Sequence, residues 1–275
     1  MNQSENKDKV VAYYSNFNEQ SRLSDYWGQI EYLRTQNIIS RFLKKSPSVI
    51  LDVGGAAGRY SCWLAQKGHQ VHLIDPVPLH IQQAQAASDA QPEAPLASCK
   101  IGDARHLEFD DGTVDVILLL GPLYHLIEAQ DRARSLSEAY RVLKSGGHLF
   151  AAGISRYAST IDGLDSGYFL DPVFQQIMQD DLKTGYHRNP TNHPAYFTDT
   201  FFHHPEELMA EVTGSGFEIA GLFAVEGISY LTKDLEKNWY VESYREFLLK
   251  IIAEIEQEPS LMGASPHIMC VGIKG

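Results

Sequence analysis

Val49-Ile50-Leu51-Asp52-Val53-Gly54-Gly55-Ala56-Ala57-Gly58 is a run of apolar β-formers that meets an acid and then a turn of small residues. Three glycines and two alanines fill five consecutive positions, and helix-like sequence follows at once from Arg59 to Lys67. A buried strand, a tight turn and a helix start therefore lie in one unit. Small side chains let a ligand come close to the backbone of the turn. The helix start offers unpaired N–H groups to ligand oxygens. The unit is suited to a nucleotide-type or adenosyl-type ligand.

The spacing of the small residues narrows the ligand. A dinucleotide turn follows G-x-G-x-x-G. Here small residues fall at Gly54, Ala56 and Gly58, and Arg59 stands where the third dinucleotide glycine would be. The Gly-Lys-Ser/Thr ending of a phosphate-cradling loop is absent from this stretch. Asp52 puts a carboxylate at the end of the strand, which repels a pyrophosphate and suits a cationic ligand end. Further strands follow in order. Val71 to Asp75 ends in an acid, Ile101-Gly102-Asp103-Ala104 follows a short third strand, and Val114 to Leu120 is a fourth, strongly apolar one. A helix over 128–144 has Leu136, Ala139, Tyr140 and Leu143 on one face. Gly146-Gly147 closes it, and His148 to Ile154 reads as a fifth strand. Strands and helices alternating from 49 to 154 predict a parallel, doubly wound sheet.

The ordered set resembles the class I S-adenosylmethionine-dependent methyltransferases of small-molecule type. Their first motif is an acid followed by x-G-x-G-x-G, matched here by Asp52 to Gly58 with Ala56 for the middle glycine. Arg141-Val-Leu-Lys-Ser-Gly-Gly147 resembles the family's R-x-L-K-P-G-G, with Ser145 for proline. The likeness runs motif by motif over roughly residues 45–155 and only in outline elsewhere. It implies a Rossmann-like α/β sheet of about seven strands, with the last strand antiparallel between the fifth and sixth. The cofactor it implies is S-adenosyl-L-methionine, with S-adenosyl-L-homocysteine as product. Gly54, Gly55 and Gly58 would bind that cofactor, Asp52 its methionine amino end, and Asp75 both ribose hydroxyls. Asp103 would sit by the adenine amino group, Pro76 and Ala104 along the adenine face, and Leu120 at the end of the fourth strand. An acid at Asp75 suits a dehydrogenase equally, so by itself it does not discriminate. Tyr14 and Arg34 lie on N-terminal helices that fold over the cofactor in relatives, and Arg34 would pair with the methionine carboxylate. Gly121 to Leu126 would lie beside the reacting methyl. There His125 is a candidate general base or pocket wall, and Tyr124 a candidate pocket wall.

The rest of the chain bounds the function. Its 275 residues are 44% hydrophobic, enough for one large α/β domain with appendages. The divisions expected are an N-terminal helical cover (1–45), the binding core (46–154), a lid insertion (155–204) and the C-terminal part of the core (205–275), itself carrying a helical insertion at 228–265. Within it, residues 233–257 predict one long amphipathic helix. The lid is rich in aromatics, which form either its own small core or a wall for a flat or cationic acceptor. His187, His193, His203 and His204 cluster in sequence there, but the adjacent pair cannot face one site on a regular element, so no metal is expected. A net charge of −12 and no basic stripe disfavour nucleic acid. Three widely spaced cysteines form no metal pattern and no disulfide framework, which fits a reducing cytoplasm. The N-terminus has no apolar signal core, and no run approaches the roughly 18 apolar residues of a membrane span. The expectation is methyl transfer to nitrogen or oxygen of a small molecule, by a monomer or homodimer. The rivals are a tRNA or other macromolecule methyltransferase and a non-catalytic adenosyl-binding regulator.

Overall fold

The computed structural model describes residues 3–16, 19–44 and 46–275. Nine strands form one sheet: β1 (Val49–Val53), β2 (Gln70–Asp75), β3 (Ser98–Ile101), β4 (Val114–Leu119), β5 (Leu143–Ser155), β6 (Tyr186–His187), β7 (Thr200–His203), β8 (Phe217–Ala224) and β9 (His267–Lys274). The order β3-β2-β1-β4-β5 is parallel throughout. Beyond β5 the sheet changes direction. β9 runs antiparallel between β5 and β8, with Phe150 opposite Val271 and Leu222 opposite Cys270. This is the Rossmann-like α/β arrangement the motifs imply, with the last strand reversed. Two strands exceed the seven expected, because the lid contributes the short hairpin β6–β7. Its β7 lies along the end of β5, with Phe202 beside Ile154.

Helices cover both faces, which is why β1 and β4, Asp52 and Asp115 apart, are apolar rather than alternating. On one face Leu51, Ile117, Leu119 and Leu149 pack with Leu136 and Leu208. On the other Ile50, Leu118 and Phe150 pack with Ile38, Ile39 and Leu64. The helices before the sheet are α1 (Gln3–Asn16), α2 (Glu19–Arg22) and α3 (Tyr26–Phe42), the last capped by Asp25, which accepts from Gly28 N at 2.7 Å. Within the parallel half come α4 (Arg59–Gln66), α5 (Pro78–Asp89), the single turn α6 (Pro122–His125) and α7 (Ala129–Val142). The lid adds α8 (Ala158–Ser166) and α9 (Pro172–Thr184), followed by α10 (Pro205–Gly214). The C-terminal part holds α11 (Leu235–Trp239), α12 (Glu242–Ile255) and α13 (Pro259–Met262).

Two boundaries differ from the sequence expectation. The helix expected to reach residue 144 stops at Val142, because the carbonyls of Arg141 and Val142 are taken by Gly112 N and Thr113 N, and Leu143 pairs with Val114 as β5 begins. The single helix expected over 233–257 is broken at Tyr240-Val241 into α11 and α12. The break lets Leu235 and Trp239 on one segment and Ile252 on the other all reach Ile30 of α3, and Trp239 Nε1 donates to Gln29 Oε1 at 3.0 Å. In the lid, Phe174, Ile177 and Tyr196 pack with Tyr168 and Val173, so much of the aromatic crowd is the lid's own core. Among the described residues no helix is long and apolar enough to cross a membrane.

Candidate active site

A cavity opens at the carboxyl ends of β1, β2 and β4, the place where α/β sheets bind ligands. Its floor is the turn after β1. Gly54 (φ 72°) and Ala56 (φ 47°) are left-handed, and Gly58 (φ 82°) starts α4 in the same region. A Cβ on Gly54 would lie 2.9 Å from the Pro122 ring. One on Gly55 would lie 2.8 Å from both the Asp52 carboxyl and Leu73. The turn is thus pressed against α6 on one side and its own strand on the other, leaving only backbone toward the cavity. Gly58 differs from its neighbours: it is not among the cavity-lining residues, and a Cβ there would meet Ala84 of α5 at 3.2 Å. Its place is a helix start and a close α4–α5 approach.

The acids at the strand ends hold this floor. Asp75 is 4% exposed; one oxygen accepts from Ala56 N (2.9 Å) and the other from Val77 N (2.9 Å), with His80 Nδ1 at 3.0 Å. Asp52 is 1% exposed and accepts from Ser61 Oγ at 2.6 Å. Burial pushes its carboxyl up to about 6, the Ser61 bond opposes that, and the nearby Asp75 charge adds to it. Both acids line the cavity, as do Pro76, Ala104 and Leu120. Asp103 lines it too, but its carboxylate is bound by Arg105 (2.7 Å), which also reaches Asp131 (2.9 Å). The side chain is thereby fixed at the rim.

Tyr14 of α1 and Tyr124 and His125 of α6 also line the cavity, with the Tyr14 ring 5.5 Å from that of His80. Tyr14 Oη lies 2.9 Å from His125 Nε2. Burial pushes His125 down to about 3, and the charge of Arg22 adds to the shift. Burial thus weakens His125 as a proton acceptor, and its ring lines the cavity wall against Tyr14. Arg34 needs correction as well. It is 2% exposed, absent from the cavity lining, and bound to Glu256 of α12, the Val225 carbonyl and Asn37. It ties α3 to the C-terminal part and does not reach a ligand. The arginines that do line the cavity are Arg22, Arg59, Arg105 and Arg188, with Arg22 held on Glu31.

Sequence reasoning missed a polar group beside Tyr124. His267, the first residue of β9, and Glu226, just past β8, meet there: His267 Nδ1 lies 2.6 Å from Glu226 Oε1. Glu31 of α3 completes a trio whose ligand-type atoms lie within 4.8 Å of one another. Its carboxylates are already engaged, Glu31 by Arg22 and Glu226 by His267 and Ser265. The lid histidines stay apart, each with its own neighbour: His187 on Asp181, His203 on Glu211, His193 on Ala195 N and His204 against Tyr157.

Comparison with known proteins agrees with this geometry. The sequence model of the methyltransferase domain matches residues 51–151. An uncharacterised methyltransferase of Mycobacterium tuberculosis is 31% identical over 36% of this chain and 37% of its own length. A ubiquinone/menaquinone biosynthesis C-methyltransferase of Ruegeria is 32% identical over 44% of this chain and 47% of its own. The chain thus spans less than half the length of these curated relatives. A crystal structure of a S-adenosylmethionine-dependent methyltransferase from Methanosarcina mazei superposes with TM-score 0.59 at 20% identity, over 86% of this chain and 96% of that one. Residues 51–151 thus match a methyltransferase domain, and the chain shares the fold of a solved S-adenosylmethionine-dependent methyltransferase.

Proposed function

We propose that this protein transfers a methyl group from S-adenosylmethionine to nitrogen or oxygen of a small molecule. One observation carries the reading: a single cavity runs from Asp75 and Asp103, past the Gly54–Gly55 turn, to Tyr124 and His267. The turn, where a Cβ at Gly54 or Gly55 would collide, and the buried acid Asp52 suit an adenosyl ligand with a cationic end. When bound, that ligand supplies an electrophilic methyl on sulfonium and leaves as a neutral thioether. What the chain supplies is alignment and exclusion of water. Asp75 fixes the turn through Ala56 and Val77, and Asp52 faces the cavity from β1. Val10 and Tyr14 of α1, Leu23, and Arg188 of the lid close over the far end. A cavity walled by three separate segments favours a small acceptor over a long polymer, as does the net charge of −12.

Calorimetric titration with S-adenosylmethionine and S-adenosylhomocysteine, with NAD as control, tests the cofactor. A panel of amines, phenols and activated ring carbons then tests the acceptor. The ring carbons belong in it because the Ruegeria relative is named for transfer to carbon. Binding of both adenosyl compounds with methyl transfer to amines or phenols is the expected result. Transfer to carbon alone or to tRNA alone would replace the acceptor class. Binding without any transfer would favour an adenosyl-binding regulator.

A further inference from the structure

Resting on the methyltransferase reading, we propose that the pair Glu226–His267 is the proton acceptor of this site, and that the acceptor it serves is a hydroxyl of phenol type. Glu226 is 4% exposed and held rigid: Oε2 accepts from Ser265 Oγ (3.1 Å) and from His267 N (3.0 Å), and Oε1 faces His267 Nδ1 at 2.6 Å. Once the imidazole is neutral, the carboxylate on Nδ1 fixes the tautomer that carries its proton there and leaves Nε2 with a lone pair. His267 itself lines the cavity and lies beside Tyr124, with ring centroids 6.4 Å apart.

The charged and titratable groups around the imidazole come from four elements: Glu226 after β8, Glu31 on α3, Arg22 on α2 and Tyr124 on α6. Burial by itself would lower the imidazole. The charges of Glu226 and Glu31 and the Glu226 bond outweigh burial, Arg22 opposes them, and the group is held up at about 9. A base of that strength is close to a phenol, whose proton leaves near 10. His125, held near 3, is not. An amine attacks through its lone pair and needs no base in that step, whereas a hydroxyl must shed its proton as it attacks. As the new C–O bond forms and the methyl–sulfur bond breaks with its electron pair left on sulfur, the hydroxyl proton moves to His267 Nε2. The resulting imidazolium faces Glu226 and then releases the proton to water. Tyr14, Tyr60, Val225 and Met269 give this end of the cavity walls that fit an aromatic ring.

The test uses the full chain. In the ligand-free protein, an NMR pH titration of 15N-labelled histidine should place His267 near 9, and Glu226→Gln should move that midpoint down. Turnover of phenols should rise with pH up to about 9. His267→Gln should lower kcat for phenols roughly 100-fold or more and remove the alkaline rise from the pH profile, with adenosyl affinity kept. Glu226→Gln should shift the pH profile in step with its NMR midpoint. An unshifted titration, a His267→Gln enzyme with undiminished phenol turnover, or amines methylated with phenols refused would each overturn the assignment and leave methyl transfer standing. Absence of adenosyl binding by calorimetry would instead overturn the functional reading itself.

Discussion

At Gly55 one added methyl group would meet the Asp52 carboxyl and the Leu73 terminal methyl at 2.8 Å, both held in place by burial. Gly55→Ala is therefore expected to cost about 1–3 kcal/mol through overpacking and to weaken adenosyl binding in the same variant, read by denaturant melts and calorimetry. His267 carries an expectation in pH. Its folded value, about 9, stands above the ordinary 6.5, so the folded state binds the extra proton between the two. That stabilisation is complete below about 6.5 and disappears as pH rises through 9, on the order of 3 kcal/mol in all. Wild-type stability should fall between pH 7 and 9.5, and Glu226→Gln should flatten the fall. A flat wild-type curve would contradict the pairing. Asp52 and Asp75 could be read from sequence because each ends an apolar run, where a strand delivers its last side chain to a cleft. Glu226 and His267 lie 41 positions apart in unlike surroundings, and only the pairing of β8 with β9 brings them together. Helical periodicity likewise could not say that Arg22, and not Arg34, lines the cavity.

Among elements, α3 and α12 depend on one carboxylate. Glu256 takes both Arg34 and Arg41, and Arg34 is buried with it. Removing one partner of a buried pair strands the other charge. Glu256→Gln should lower unfolding free energy by about 3–5 kcal/mol in denaturant titration, with adenosyl affinity of the folded fraction unchanged, because none of the three residues lines the cavity. An affinity loss would show that this tie also shapes the site. The parallel strands were legible element by element, since each is a short apolar run bounded by turn residues. The break between α11 and α12 was not, because its cause is tertiary: two short faces must reach Ile30 together. The lid hairpin was hidden for a similar reason, being two residues at Tyr186–His187 paired with four at Thr200–His203.

The whole molecule distributes its site over nearly its full length, from Val10 to Met269. A ligand that bridges such distant segments binds the folded chain alone. At S-adenosylmethionine a hundredfold above Kd, the fold should gain about 2.7 kcal/mol, seen as a rise of several degrees in melting temperature that NAD does not reproduce. No rise would mean that the cavity does not hold the donor. The sheet order was legible from the motif set, and a cover over 1–45 and a lid over 155–204 were expected from it, but which of their residues reach the cavity, Arg22 and Leu23 rather than Arg34, and Arg188 of the lid, was not, since packing between remote segments leaves no local pattern. The position of β9 also orders events during synthesis. Residues 267–274 leave the ribosome after every other element described, yet they belong in the middle of the sheet, bonded on both sides. Until they emerge, β5 and β8 face each other across a missing strand, with two open hydrogen-bonding edges that invite pairing with other nascent chains. One late insertion seals both edges and carries His267 to the cavity wall, so the step that closes the sheet also completes the site.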